Sequence, residues 1–377
     1  MEYTQKFNEL KSVFNPDSDE IKIPGSDIRI INTKFNSDVE ANEIFNVKDI
    51  NFSENKTFTY PIFIPPDTRS RKVILLLHGL NERSWTKYLV WAYYLSQHTG
   101  SYVILFPMSF HMNRSPVSWK DPRALLGFLN ERKMAHGKIN MTSIANIALS
   151  NRLTEDPMRF FSSGYQTVLD IVKLMKLINS GKHQVVPGGG NVDVFAYSIG
   201  AFLAQIIFIG NPESLFTNSR LFMFCGGSVF SNMNGTSKLI MDKLAYEKVY
   251  SYYMNDFEKE ARNKNQLIEF LRSGRLGMAF RSMIDLSRLK NFRETALNQF
   301  RDQIHVIALF KDIVIPPKGI LETLNSTLSR KSQPVELWDF PYPYSHENPF
   351  PVFNSELRME VDRSFERVFS AAVAFLK

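Results

Sequence analysis

Val73-Ile74-Leu75-Leu76-Leu77 is apolar at every position. A strand with one wet face alternates apolar and polar residues, so an unbroken run of this kind belongs in a strand covered on both faces, the usual condition of a parallel sheet. Further strand-like runs, mostly apolar, follow at Tyr102–Pro107, Val192–Ala196, Leu221–Cys225, Ile304–Phe310 and Val335–Phe340. Helical patterns fall between these runs. Trp85–Gln97 carries aromatic and aliphatic residues at helical spacing. Tyr165, Val168, Leu169, Val172, Met175 and Leu177 mark an amphipathic helix closed by Asn179-Ser180-Gly181, another helix starts at Ile199, and Glu356–Leu376 reads as a closing one. Strand, helix, strand repeated in this way predicts an α/β chain with a doubly wound, mostly parallel sheet. Phe58–Pro66 ends in a double proline, which predicts an early edge strand rather than a central one.

Composition removes several alternatives. With 44% hydrophobic and 22% charged residues in 377, the chain is too apolar for disorder and long enough for a sizeable core. The single cysteine, Cys225, excludes an intramolecular disulfide framework and any multi-cysteine zinc site, in keeping with a reducing compartment. No basic segment followed by an apolar one opens the sequence, and no run reaches the ~20 apolar residues of a membrane span, so a cytoplasmic location without a membrane span is expected. The net charge of +7 is not gathered into a basic block and no nucleic-acid motif accompanies it. His-Glu-x-x-His, calcium-loop and phosphate-loop patterns are absent, so neither metal nor cofactor is expected. Nothing in the pattern indicates an oligomeric state.

The expected layout is an N-terminal extension with β-rich segments at 1–57 and a core at 58–230 and 301–377. Two segments break the alternation. Residues 111–160 are polar and mixed, broken by Pro116, Pro122, Gly127 and Gly137, and read as an irregular insertion, while 231–300 look almost wholly helical, with apolar residues such as Leu244, Tyr253, Phe257, Phe270 and Met283 between charges. The second is expected to form a helical cap over the C-terminal edge of the strands, where such sheets bind ligands. The first holds 8 basic and 4 acidic side chains and the second 12 and 8, so a positive excess is expected near the pocket entrance, favouring anionic substrates.

Val192-Asp193-Val194-Phe195-Ala196-Tyr197-Ser198-Ile199-Gly200 is the stretch richest in chemistry. A strand runs into a serine flanked by small residues two positions away on either side, and a helix follows at once. A nucleophile elbow needs this: a tight turn that lifts the hydroxyl above the sheet, with small flanks to avoid neighbouring backbone. Ala196 stands where glycine is commonest. The pattern is short, and a serine before a helix is often a plain cap. Its partners can be sought separately. Leu77-His78-Gly79-Leu80 turns out of an early central strand, so the N–H of Leu80 can face the same pocket as that of Ile199; one such donor is worth roughly 3 to 4 kcal/mol to a tetrahedral transition state. Asp312 follows the Ile304–Phe310 strand and sits on the same sheet edge as Ser198. Of the seven histidines only His346 follows the last strand, in a proline-bearing loop that can carry an imidazole back over the edge. His78, Gly79, Asn81 and Tyr197 are candidates to line the pocket.

The order Ser198, Asp312, His346 is that of α/β-hydrolases. With the Leu-Leu-His-Gly-Leu strand end, the Ala-Tyr-Ser-Ile-Gly elbow, the Asp-Ile-Val-Ile-Pro segment and the Ser-His-Glu loop, the chain resembles the α/β-hydrolase superfamily, over about 58–110 and 160–377. Within it the chain is similar to uncharacterised bacterial members with a helical cap. The resemblance implies Ser198 as nucleophile, His346 as base, Asp312 as its partner, and Leu80 and Ile199 as oxyanion donors. It implies a serine hydrolase acting on an ester or related acyl bond of a small molecule. Peptidase or acyltransferase chemistry on the same fold, with Glu82 or Arg83 holding a substrate charge, and a non-catalytic binding module are the alternatives.

Overall fold

A computed structural model describes residues 2–38, 52–263, 265–324, 335–352 and 356–377. Residues 39–51 of the expected N-terminal extension lie outside it. One nine-stranded sheet runs in the order β1-β2-β3-β5-β4-β6-β7-β8-β9. The strands are β1 (Glu20–Lys22), β2 (Arg29–Asn36), β3 (Thr57–Ile64), β4 (Val73–Leu77), β5 (Tyr102–Leu105), β6 (Val192–Tyr197), β7 (Leu221–Phe224), β8 (Ile304–Leu309) and β9 (Val335–Trp338). From β5 across to β9 every pairing is parallel, and β1, β2 and β3 add an antiparallel wing through β5. This is an α/β-hydrolase fold.

The apolar runs behave as expected: every residue of β4, β5, β6 and β7 is buried. Helices account for both covers. On one face lie Tyr3–Val13, Thr86–Thr99 and Arg358–Leu376, joined by an aromatic cluster around Trp91, Phe195, Phe365 and Phe369. Met158–Asn179 and Ile199–Gly210 cover the other, and the helices of 243–299 continue the same apolar cluster through Val249, Phe257, Leu271 and Met283. The Tyr253 hydroxyl ties these helices to the body of the fold, donating to the Pro157 carbonyl (2.9 Å) and accepting from the Phe161 N–H (3.0 Å).

Two expectations need correction. β3 is interior, not an edge: β2 pairs with it from Arg29↔Ile64 to Asn36↔Thr57, and β5 lies on its other side. The β5 ladder involves only Ile62 and Phe63, so Pro61 lies just outside it and its missing N–H is tolerated. The polar segment 111–160 is not irregular but contains the helices Pro122–His136 and Ile147–Glu155. Asp121 caps the first, its carboxylate accepting from the Arg123 and Ala124 N–H groups, with Pro122 at the first helical position where no N–H is needed. Among the described residues no helix is long and apolar enough to cross a membrane.

Candidate active site

The centre is built where β6 meets the following helix. Ser198 adopts φ 58° and ψ −125°, a conformation that costs a non-glycine residue on the order of 1–3 kcal/mol and persists only under surrounding constraint. The constraint is visible. The Ser198 N–H donates to the Phe224 carbonyl (3.2 Å), and its own carbonyl accepts from the Ala201 N–H (2.9 Å). A Cβ on Gly200 would stand 2.7 Å from the Leu77 carbonyl oxygen, and one on Gly226 only 2.4 Å from the Ala201 Cβ. Glycine two residues after the serine is therefore dictated by β4 passing beside the turn. Ala196, two residues before it, is fully buried within β6, so the strand accommodates a methyl group where glycine is commonest.

Ser198, His346 and Asp312 form one hydrogen-bonded chain. Ser198 Oγ lies 2.6 Å from His346 Nε2, and His346 Nδ1 lies 2.7 Å from Asp312 Oδ2. All three are buried. The other carboxylate oxygen, Asp312 Oδ1, accepts from the N–H groups of Val314 and Ile315, both at 2.9 Å. An ionised carboxylate only accepts, so Nδ1 of His346 carries the proton and Nε2 presents its lone pair to the serine. Tyr197, next to the serine, donates its hydroxyl to the His346 carbonyl and lies nearly parallel to the imidazole, with ring centroids 5.7 Å apart. The loop that bears the histidine is thus fastened to the strand that bears the serine.

The remaining candidates separate into two groups. Leu80 and Ile199 line the same cavity as Ser198, and the Ile199 N–H is one of those at a helix start that the helix cannot satisfy. His78, Gly79 and Tyr197, expected as pocket lining, line none of the cavities described here. They are buried and engaged elsewhere: His78 Nδ1 lies 2.8 Å from the Gly79 carbonyl, His78 Nε2 accepts from the Met108 N–H (2.9 Å), and the Gly79 N–H donates to the Tyr88 hydroxyl (2.9 Å). Burial drives the His78 imidazole well below its ordinary range, so it stays neutral and accepts at Nε2. These residues shape the turn that presents Leu80. Asn81 does line a cavity, and its amide bridges the Ala145 and Leu239 carbonyls (2.8 and 2.7 Å), joining the two segments that the sequence sets apart.

Two apolar cavities flank the Leu80–Ile199 pair and share Leu80, Phe160 and Ile199. The smaller, about 470 Å³, contains Ser198 together with Phe230, Met241, Tyr246 and Val314. The larger, about 800 Å³, is lined by Leu203 and Ile206 from the helix after the elbow, Leu149 and Leu153 from 111–160, and Phe270 and Phe280 from 231–300. Phe160 and Val314, which wall the serine cavity, were not singled out by sequence; nothing distinguishes one buried apolar residue from another before the chain is folded. The Asp312 pattern did hold a signal, since an aspartate that bonds the N–H groups two and three residues on is a local turn motif. Among the described residues no cluster of His, Cys, Asp and Glu could hold a metal ion.

Residues 37–377 match the model of a family of unknown function, DUF6051. The chain belongs to that family. No curated protein matches the sequence of this DUF6051 member. Solved structures similar to it include an esterase from Pyrobaculum calidifontis, at 10% identity and a TM-score of 0.43 over 98% of this chain and 91% of that one. Another is an S-formylglutathione hydrolase from Agrobacterium tumefaciens, at 12% identity and 0.43 over 91% and 95%. A third is a peroxisomal α/β-hydrolase from Saccharomyces cerevisiae, at 14% identity and 0.41 over 93% and 89%.

Proposed function

We propose that this protein is a serine hydrolase that cleaves an ester or related acyl bond through an acyl-enzyme. The observation that carries the reading is the Ser198–His346–Asp312 chain, with spacings of 2.6 and 2.7 Å on a strained strand-to-helix turn. Ser198 Oγ attacks the substrate carbonyl while its proton passes to His346 Nε2, and Asp312 stabilises the imidazolium that forms. The N–H groups of Leu80 and Ile199 receive the developing oxyanion. Collapse expels the alcohol, which takes the proton from His346. Water then repeats the sequence on the acyl-enzyme, releasing the acid and restoring Ser198. The two apolar cavities on either side of the donors provide room for an acyl and an alcohol group of a small-molecule substrate. Because 111–160 and 231–300 both line the larger one, they act as the cap that sets which groups fit.

A fluorophosphonate probe tests this directly. The native protein is expected to label at Ser198, the heat-denatured protein and Ser198→Ala to remain unlabelled, and Ser198→Ala to lose short-chain p-nitrophenyl ester turnover while melting at the wild-type temperature. Retained turnover in that variant would refute the assignment.

A further inference from the structure

Three residues beyond Leu80 stands a cation with no counter-charge among the described residues. Arg83 is half-buried, its Nη2 is shielded from solvent without a hydrogen-bond partner, and among the described residues it makes no ion pair. Its neighbour Glu82 is taken: Lys87 pairs with it and the Tyr88 hydroxyl donates to it (2.8 Å). Arg83, Glu82 and Asn81 line a small cavity walled also by Phe110, Trp119 and His111. His111 is buried there with Nδ1 on the Ser109 carbonyl (2.9 Å) and Nε2 without a partner. Buried polar atoms are satisfied in folded proteins, so two orphans around one cavity mark a place for a polar occupant.

The position ties that occupant to the active centre. His111 and Leu149 line both this cavity and the 800 Å³ one, which in turn shares Leu80, Phe160 and Ile199 with the cavity of Ser198. Arg152 lines the large cavity, with its guanidinium 4.1 Å from the Phe110 ring and donating to Ser163 Oγ (2.8 Å), and adds positive charge between the two spaces. Lys120, exposed nearby, has Glu54 as a carboxylate neighbour and feels the repulsion of Arg83. Among the described residues one carboxylate lines the small cavity, Glu82, and Lys87 already neutralises it.

We infer that Arg83 holds an anionic oxygen group of the substrate, a carboxylate at the far end of an apolar chain whose scissile carbonyl sits at Ser198. This rests on the hydrolase reading and names the substrate class for it: esters of acids that carry a second, ionised carboxyl group. The guanidinium fork pairs with the carboxylate, the apolar cavity takes the methylenes, and the lone pair on His111 Nε2 takes an O–H donor, from the ligand or from a water beside it.

The test compares two p-nitrophenyl esters of adipic acid, the monoester with its second carboxylate free and the mixed diester with it methylated. Wild type should favour the free carboxylate at least tenfold in kcat/KM. Arg83→Gln should bring the pair to near parity, leave the methylated ester within twofold of wild type, and melt at the wild-type temperature, with Arg83→Lys intermediate. Parity in wild type, or equal losses on both esters in Arg83→Gln, overturns the inference while labelling of Ser198 keeps the hydrolase reading intact. A readout independent of turnover is calorimetric binding of monomethyl adipate to Ser198→Ala with and without Arg83→Gln. Tenfold weaker binding in the double variant supports the site, and equal binding overturns it.

Discussion

Replacing Asp312 by asparagine should disable the centre without unfolding it. The two oxygens of Asp312 are not equivalent. Oδ1 holds the Val314 and Ile315 N–H groups and Oδ2 faces His346 Nδ1. An asparagine keeps both backbone bonds only by placing its carbonyl oxygen at the Oδ1 position, which turns its NH₂ toward the imidazole. A donor would then face a donor. The imidazole resolves the conflict by moving its proton to Nε2, where it confronts Ser198 Oγ and can no longer accept. The expected loss is on the order of 10⁴ in kcat, about 5 kcal/mol of transition-state stabilisation. The turn itself retains its hydrogen bonds, so the melting temperature should shift little. Steady-state hydrolysis of a short-chain p-nitrophenyl ester, the rate of fluorophosphonate labelling and a thermal melt together decide the matter. A kcat within tenfold of wild type in a protein that melts normally would show that Asp312 does not set the protonation of His346, and the argument from its two oxygens would fail.

Other perturbations act on stability. Arg114 and Asp170 form a fully buried pair at 2.8 Å, and Arg114 also donates to Asn55 Oδ1, the Asn55 carbonyl and the Pro107 carbonyl, each at 3.1 Å. Arg114→Met strands a buried carboxylate and should cost roughly 3–5 kcal/mol, read as a lowered denaturation midpoint; an unchanged midpoint would contradict it. Acid should weaken the fold well before most carboxylates titrate. Burial drives His111 and His183 down to about 4 and His78 well below its ordinary range, and the Val185 and Val186 N–H groups both point at His183 Nδ1, leaving no room for a proton. The unfolded chain therefore binds more protons between about pH 6.5 and 4. The stability these histidines provide is complete above that window and falls as pH drops through it, by up to ~1.4 kcal/mol per pH unit for each. Asp170 and Asp193, pushed up by burial, oppose this at the acid end. Urea midpoints at pH 7 and pH 5 should differ accordingly, and equal midpoints would count against neutral burial.

The central strands were readable because burial on both faces leaves a mark that needs no neighbour to interpret: Val73–Leu77 can hardly be anything else. Ser198, Asp312 and His346 were readable for a related reason. Each follows a strand end, and strand ends in a parallel sheet lie on one edge wherever the strands sit. β3 was misjudged because the double proline Pro65-Pro66 follows the strand's last residue, Ile64, and so marks where the strand stops without limiting what pairs on either side of it. The helices within 111–160 were missed because they are mostly polar and are held by partners far away in sequence, such as Arg132, which pairs with Asp242 at 2.6 Å. The partner taken by Glu82, and the lack of one for Arg83 among the described residues, are likewise facts of assembly. Two adjacent opposite charges read as a neutral pair until Lys87 is seen to have claimed the acid.

Cys225 closes β7 at the heart of this arrangement. It is wholly buried, next to the Gly226 that the elbow cannot spare, and burial drives its thiol well above the ordinary range. The molecule consequently carries one chemically addressable atom of its kind, silent while the sheet is closed and reactive once the central strands part. A thiol reagent applied under native conditions counts those partings and ignores fraying at the periphery, so the rate at which the centre of the sheet opens can be followed in the unaltered protein.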